Sequence, residues 1–250
     1  MDITKYLTRI DIDTAGKPSF ELLSILQQKH LLNIPFEDLD IPNRNRIVLD
    51  LEKIYNKIIP TKRGGFCYEL NGLFHWLLKS IGFNVDMLSA KVFNSTTKEL
   101  GPEFDHMTLL AHLDKDYLVD VGFGDSFRKP LEMPEEESSD ISGSYRLKRR
   151  NNNEYELQKL ENSLWQLQYV FTRTKRNLRD FKKMCDFQQD SPDSHFRTRN
   201  LCTIATPAGR ITLSEKSLTI TENGEKLKSE IASEKEFFEL LEKYFGITLQ

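Results

Sequence analysis

In the run Arg63-Gly64-Gly65-Phe66-Cys67-Tyr68-Glu69-Leu70-Asn71-Gly72, a cysteine follows closely on two glycines. Apolar residues then recur at helical spacing through Leu70, Leu73, Phe74, Leu77, Leu78 and Ile81 and stop at Gly82, which places Cys67 in the first turn of a helix. Unpaired backbone N–H groups and the positive end of the helix dipole favour a thiolate there. One reading is a nucleophile presented on the Gly64-Gly65 turn, with neighbouring N–H groups to bind an oxyanion. The other is a buried structural cysteine.

A nucleophile needs a base, and five histidines are available. His30 and His75 lie on predicted helices, where packing is the ordinary role. His195 follows Pro192 in a polar loop with no carboxylate partner that the sequence identifies. His106 and His112 share a predicted strand and, at an even separation, one face. Six residues of strand span roughly 20 Å, so only one of them can serve Cys67. His106 opens its strand directly after a loop, whereas His112 sits beside a tight turn. On the next strand Asp120 lies among Leu118, Val119 and Val121, where a carboxylate is costly without a partner. The constellation is then Cys67 as nucleophile, His106 as base and later acid, and Asp120 as the group that orients the imidazole. With the turn centred on Lys115, the residue opposite His106 is near Gly124, leaving Asp120 about four residues short, on the order of 13 Å. A bulge, another pairing or a strong twist has to close that gap, and Gly122 and Gly124 permit one.

The elements that must hold these residues fall into three stretches. Residues 1–83 read as a helical bundle, with an amphipathic helix over 18–30, an extended loop between Ile34 and Pro42, and a short helix over 50–58. Residues 84–190 carry strand patterns at 84–93, 106–113, 117–124, 144–147, 155–160 and 164–171, which predict an antiparallel sheet or barrel; 94–105 and 135–142 read as polar loops and 178–187 as a helix. Residues 191–250 mix short strands at 202–205, 209–213 and 217–221 with a helix from a Ser233 cap to Gly246. The class is α+β.

Composition narrows the possibilities. The 250 residues are 38% hydrophobic and 29% charged with net charge −3, an ordinary globular balance that steers the chain to neither nucleic acid nor an anionic membrane. Three scattered cysteines suit neither a disulfide framework nor a zinc ribbon, and Cys185 and Cys202 read as packing residues. The N-terminus lacks a signal-peptide core and no run is long enough to span a bilayer, so a reducing cytoplasm is expected.

Taken together, the residues around Cys67, Pro35-Phe36-Glu37, the strand-opening His106, and Asp120-Val121-Gly122-Phe123-Gly124 resemble the arylamine N-acetyltransferases, and the short central loop is similar to bacterial members. That resemblance implies a papain-like cysteine-protease-like core: an N-terminal helical bundle, an antiparallel β-barrel and a C-terminal α/β lid, with a Cys-His-Asp triad. It implies acetyl-CoA as co-substrate, no metal, and ping-pong transfer through an acetyl-Cys67 thioester to arylamines, arylhydrazines or arylhydroxylamines. Phe36 and Phe123 match positions lining the acceptor pocket, and Phe196 an aromatic of the lid. Asp38 departs from the asparagine often found after Pro-Phe-Glu. For the CoA phosphates the basic candidates are Arg173, Lys175, Arg176, Arg179, Lys182 and Lys183, with Arg197 and Arg199. The expected partners are small molecules only, on a monomer or weak homodimer. A thiol amidase or transglutaminase-like acyl transferase and a non-catalytic binding module are the competing readings.

Overall fold

Side-chain caps set where the helices begin. In the computed structural model, which describes residues 1–134, 137–198 and 200–249, Asp2 accepts from the Thr4 N–H (2.8 Å) at the head of α1 (Ile3–Arg9). Ser19 caps α2 (Phe20–Asn33) through the Leu22 N–H (3.2 Å), and after the two-residue strand β1 (Phe36–Glu37) Asp50 caps α3 (Leu51–Ile58) through Lys53 (3.0 Å). The helix bearing the cysteine, α4 (Cys67–Ile81), ends at Gly82 with φ 110°, a conformation that costs glycine little. Tyr6, Leu23, Leu26, Leu70, Phe74 and Leu77 fill the space between these helices.

His30 is part of this core. It is fully buried, and the Tyr6 hydroxyl lies 2.8 Å from its Nδ1. Burial, with the Arg9 charge pushing the same way, drives its pKa down to about 3. The unfolded chain takes up a proton near the ordinary value of about 6.5 while the folded chain stays neutral, so stability falls as pH drops below that value. Between pH 7 and pH 5 the wild type should lose about 2 kcal/mol more than a His30→Gln variant. Urea unfolding at the two pH values measures the difference.

From Gly82 the chain runs through β2 (Asn84–Asn94), β3 (Glu99–Leu100), β4 (His106–His112), β5 (Asp116–Val119), β6 (Leu131–Glu132), β7 (Glu137–Asp140), β8 (Gly143–Arg149), β9 (Glu154–Glu161) and β10 (Leu164–Arg176). They form one antiparallel sheet in the order β6-β5-β4-β2-β10-β9-β8-β7, with β3 on the end of β2. Leu131 and Leu118 near one edge share a single apolar cluster with Tyr145 and Leu147 near the other, so the sheet curls into a nearly closed barrel. On its other face, Val85, Met87, Met107 and Leu109 pack into the helical core that includes α4.

A 3-10 turn (Leu178–Phe181), α5 (Lys182–Asp190) and a second 3-10 turn (His195–Thr198) lead into β11 (Leu201–Thr206), β12 (Gly209–Ser214), β13 (Ser217–Glu222) and β14 (Glu225–Glu230). These make a second sheet, β1-β11-β12-β13-β14, whose first strand comes from the helical third of the chain. Cys202, Leu213 and Leu218 on one face bury Phe237, Leu241 and Phe245 of α6 (Glu234–Phe245). No helix among the described residues is long and apolar enough to cross a membrane.

Several expectations are corrected here. Part of the acidic loop expected over 135–142 is a strand, β7, held to β8 by a two-residue turn at Ile141-Ser142; Glu135 and Glu136 lie outside the described residues. Glu137 and Ser139 stand on a polar surface strand, so no apolar alternation announces it. The 94–105 loop contains β3, the second strand of the 106–124 pair stops at Val119, and the helix expected from Leu178 begins as a 3-10 turn. The edge strand β14 has no buried residue and gave no signal.

Candidate active site

Strands β4 and β5 decide where His106 and Asp120 stand. Leu109 pairs with Val119 and His112 with Asp116, which leaves a turn of residues 113–115. Continuing that register, Asp120 faces Thr108 and His106 faces Gly122, so the mismatch is two residues and not the expected four. Thr108 and His106 share a face, so Asp120 is a diagonal neighbour of the imidazole, within side-chain reach. His106 Nε2 lies 2.7 Å from Asp120 Oδ2, with both residues buried.

Asp120 is fully buried and fully engaged. Tyr169 donates its hydroxyl to Oδ2 (3.0 Å), and the Asn71 amide and the Gly122 N–H each donate to Oδ1 (2.9 Å). Burial alone would raise its pKa, but the His106 charge and hydrogen bond, Asn71 and Gly122 outweigh it and hold the carboxyl below its ordinary value. With Nε2–H donated to Asp120, Nδ1 carries the lone pair. Phe123 meets the imidazole edge-on at 5.1 Å and Tyr169 lies tilted at 5.3 Å between centroids, so the ring is packed on two sides.

Cys67 is the first residue of α4 and shares a cavity of about 350 Å³ with His106. Phe36, Phe123 and Phe196 also line it, together with His195, Asp105, Asp125, Thr203 and Thr212. Sequence reasoning set His195 aside because its polar loop offered no carboxylate partner that the sequence could identify. It also left out Tyr169, whose role depends on a strand remote in sequence, whereas Asn71 stood inside the Cys67 motif.

The electrostatics around the sulfur differ from expectation. Burial pushes the Cys67 thiol up, and Asp105 and Asp120 add to that, with the Met107 backbone N–H opposing. At the start of the same helix Glu69 Oε2 accepts the Phe66 N–H (3.1 Å). Glu69 belongs to a buried network. Lys57 Nζ lies 2.7 Å from Asp40 and 2.9 Å from Glu69, while Arg63 reaches Glu37 (2.7 Å) and Asp40 (3.0 Å). Together these ties fix the segment that enters α4.

Gly64 and Gly65 are needed for space, since neither has positive φ. A Cβ on Gly64 would sit 2.2 Å from the Pro35 carbonyl oxygen, and one on Gly65 2.9 Å from the Glu69 side chain. Gly122 is tighter against the site: a Cβ there would lie 2.6 Å from Asn71 Nδ2 and 2.9 Å from Cys67 Cα. Gly122→Ala should therefore push the 120–124 segment away from α4 and lower turnover about 10²-fold, the scale of an ångström-level misplacement. Steady-state kinetics on the variant, with circular dichroism as the control for folding, measures this.

Comparison with known proteins gives the family. An N-acetyltransferase family model matches residues 19–250. The arylamine N-acetyltransferase pineal gland isozyme NAT-3 of Gallus gallus is 32% identical, over 100% of this chain and 95% of that one. Among solved structures, the arylamine N-acetyltransferase of Salmonella typhimurium superposes with a TM-score of 0.92 at 32% identity, covering 98% of this chain and 90% of that one. A Bacillus cereus arylamine N-acetyltransferase, described as having a unique Cys-His-Glu catalytic triad, superposes at 0.92 with 28% identity over 100% of both chains. In this chain the carboxylate on the imidazole is an aspartate. A buried His-Asp pair beside a helix-terminal cysteine, in a fold that matches these enzymes along its whole length, places the chain in the arylamine N-acetyltransferase family.

Proposed function

We propose that the chain moves the acetyl group of acetyl-CoA to the nitrogen of arylamines and arylhydrazines, and to the oxygen of arylhydroxylamines, through a thioester on Cys67. The observation that carries this is the buried 2.7 Å contact between His106 Nε2 and Asp120, on a ring that shares a cavity with Cys67. Burial keeps the thiol protonated at rest, so His106 Nδ1 takes the proton as the sulfur attacks, and Asp120 stabilises the imidazolium that results. The thiolate attacks the acetyl carbonyl, the first N–H groups of α4 take up the oxyanion, and the CoA sulfur leaves with the proton from His106. The acceptor then attacks the acetyl-Cys67 carbonyl, gives its proton to His106, and frees the Cys67 sulfur.

Phe36, Phe123 and Phe196 form apolar walls suited to an aromatic acceptor and to keeping water from the thioester. The division into 1–83, 84–190 and 191–250 suits this assignment: the first carries Cys67, the second His106 and Asp120, and the third closes the cavity with Phe196 and Thr203. A cytoplasmic setting keeps the three free cysteines reduced.

Free CoA should appear as a stoichiometric burst when acetyl-CoA is added alone, and continuously only once an arylamine is present. Hydrolysis of carboxamides without CoA release would instead support the thiol amidase or transglutaminase-like reading.

A further inference from the structure

Two carboxylates belong to the wall of the Cys67 cavity, and their surroundings differ. Asp125 is neutralised by its neighbours: Lys159 Nζ lies 2.8 Å from it and Arg210 Nε 3.2 Å. Asp105 has no such relief. No lysine or arginine among the described residues makes an ion pair with it, and Arg199 lies outside them. The one charge among those residues that acts on it is the imidazole of His106, its neighbour in the chain.

The Asp105 carboxylate is also held in place. Gln188 of α5, itself buried, donates its Nε2 to Oδ1 (2.9 Å), and the Ser194 hydroxyl holds the other end of that amide, 2.8 Å from Gln188 Oε1. Because the same hydroxyl accepts the Phe196 N–H (3.3 Å), this chain of hydrogen bonds ties the carboxylate to an aromatic wall of the cavity. The loop before β4 leaves no slack at Oδ2, where a Cβ on Gly101 would sit 2.5 Å away. Asp105 is half-buried, and its charge reaches the Cys67 sulfur, where it is the strongest of the charges opposing ionisation. The Gln188 amide and the Val92 N–H satisfy the carboxylate in part without cancelling its charge. The space beside the thioester therefore combines aromatic walls with a fixed negative charge that no lysine or arginine among the described residues offsets.

We propose that Asp105 selects the acceptor: among arylamines and arylhydrazines, the cavity takes those whose ring carries a second, cationic group in preference to those whose ring carries a carboxylate. This preference rests on the acetyl-transfer reading above and names the substrate class within it. The reacting nitrogen has to be neutral to attack the thioester, so the positive charge must stand on a separate group, as in an arylamine with an aminoalkyl side chain. During attack His106 becomes an imidazolium, and with Asp120 committed to that ring, Asp105 is the carboxylate left to offset the acceptor's own charge. An acceptor of the benzoate type would instead set a second anion beside Asp105, a repulsion worth about tenfold in affinity at a half-exposed site.

The test sets wild type and Asp105→Asn against three ring-matched acceptors: para-(aminomethyl)aniline, para-methylaniline and para-aminobenzoate, which are cationic, neutral and anionic at neutral pH. NMR titration without donor measures binding. Kinetics with acetyl-CoA give kcat/KM for each acceptor, which in ping-pong transfer reports only the step after the thioester forms. Wild type should bind the cation about tenfold more tightly than the anion. Comparing the two proteins cancels the differing basicity of the three nitrogens. Relative to para-methylaniline, Asp105→Asn should lose about tenfold in kcat/KM on para-(aminomethyl)aniline and gain about threefold or more on para-aminobenzoate. Equal changes on all three acceptors, as a merely structural role would give, would overturn the proposal. So would a wild type that binds the anion as tightly as the cation, a measurement that decides the matter even if the variant does not fold. A wild type that binds the three in the expected order yet releases no thiol from acetyl-CoA would leave the charge preference standing and remove the acetyl-transfer reading.

Discussion

Cys67→Ser should yield a folded protein whose acetyl transfer is lower by about 10⁴-fold or more. The serine hydroxyl would occupy the same first position of α4, so the walls of the cavity and the N–H groups of the helix start would be preserved. What fails is ionisation: an alcohol is far harder to deprotonate than a thiol, and the His106-Asp120 pair is matched to a sulfur proton. The variant should still bind the donor, show no burst of free CoA, and gain no acetyl group by intact-protein mass spectrometry. Cys185, whose thiol burial pushes up to about 12, and Cys202, pushed up by full burial, are no substitutes and should remain unmodified in both proteins.

Asp120→Asn should cost about 10³- to 10⁴-fold in kcat through the tautomer of His106. The carboxylate receives donors on both oxygens, His106 and Tyr169 on Oδ2 and Asn71 and Gly122 on Oδ1. A carboxamide must turn its NH₂ towards one of these pairs, so whichever way it lies two donors meet a donor. If the NH₂ faces His106, the imidazole is driven to carry its proton on Nδ1 and can no longer take one from the thiol. The unsatisfied donors should also lower stability by about 1–3 kcal/mol. The two proteins should differ in their response to acid. The native carboxyl is held below its ordinary value, so it contributes stability that is present above about pH 4 and fades as pH falls through the depressed folded value. The asparagine variant has no such contribution to lose, and the gap in urea midpoint between the two proteins should narrow below pH 4.

Much of this site could be read before the fold. The helix from Cys67 to Gly82 followed from apolar spacing and its glycine stop, and the pairing of His106 with Asp120 from the cost of leaving a carboxylate among Leu118, Val119 and Val121. The register could not be read, because it turns on whether the three-residue loop is centred on Asp114 or on Lys115, and the residues from Leu113 to Asp116 do not force either. The resting state of Cys67 was misjudged for a similar reason: the dipole of α4 is visible in the sequence, but the burial that outweighs it, with Asp105 and Asp120 alongside, comes from packing. Strands β7 and β14 were missed because hydrogen bonding alone makes them strands; neither buries an apolar side chain. The reason for Gly64 and Gly65 could not be read either, since their neighbours in space, Pro35 and Glu69, supply the constraint.

The seating of β1 on β11 has a consequence for how the protein comes to life on the ribosome. Phe36 and Cys67 emerge early in synthesis, but the strand that holds Phe36 in place, through its pairing with Thr203, is translated only in the last fifth of the chain. Until then Phe36 has only its bridge to Gly65, and the cavity beside the sulfur lacks the wall that Leu201, Thr203 and Thr212 supply. A nascent chain stalled before β11 should be reactive toward alkylating reagents and silent as a transferase, and completion of the second sheet is the step that turns an exposed thiol into a shielded one.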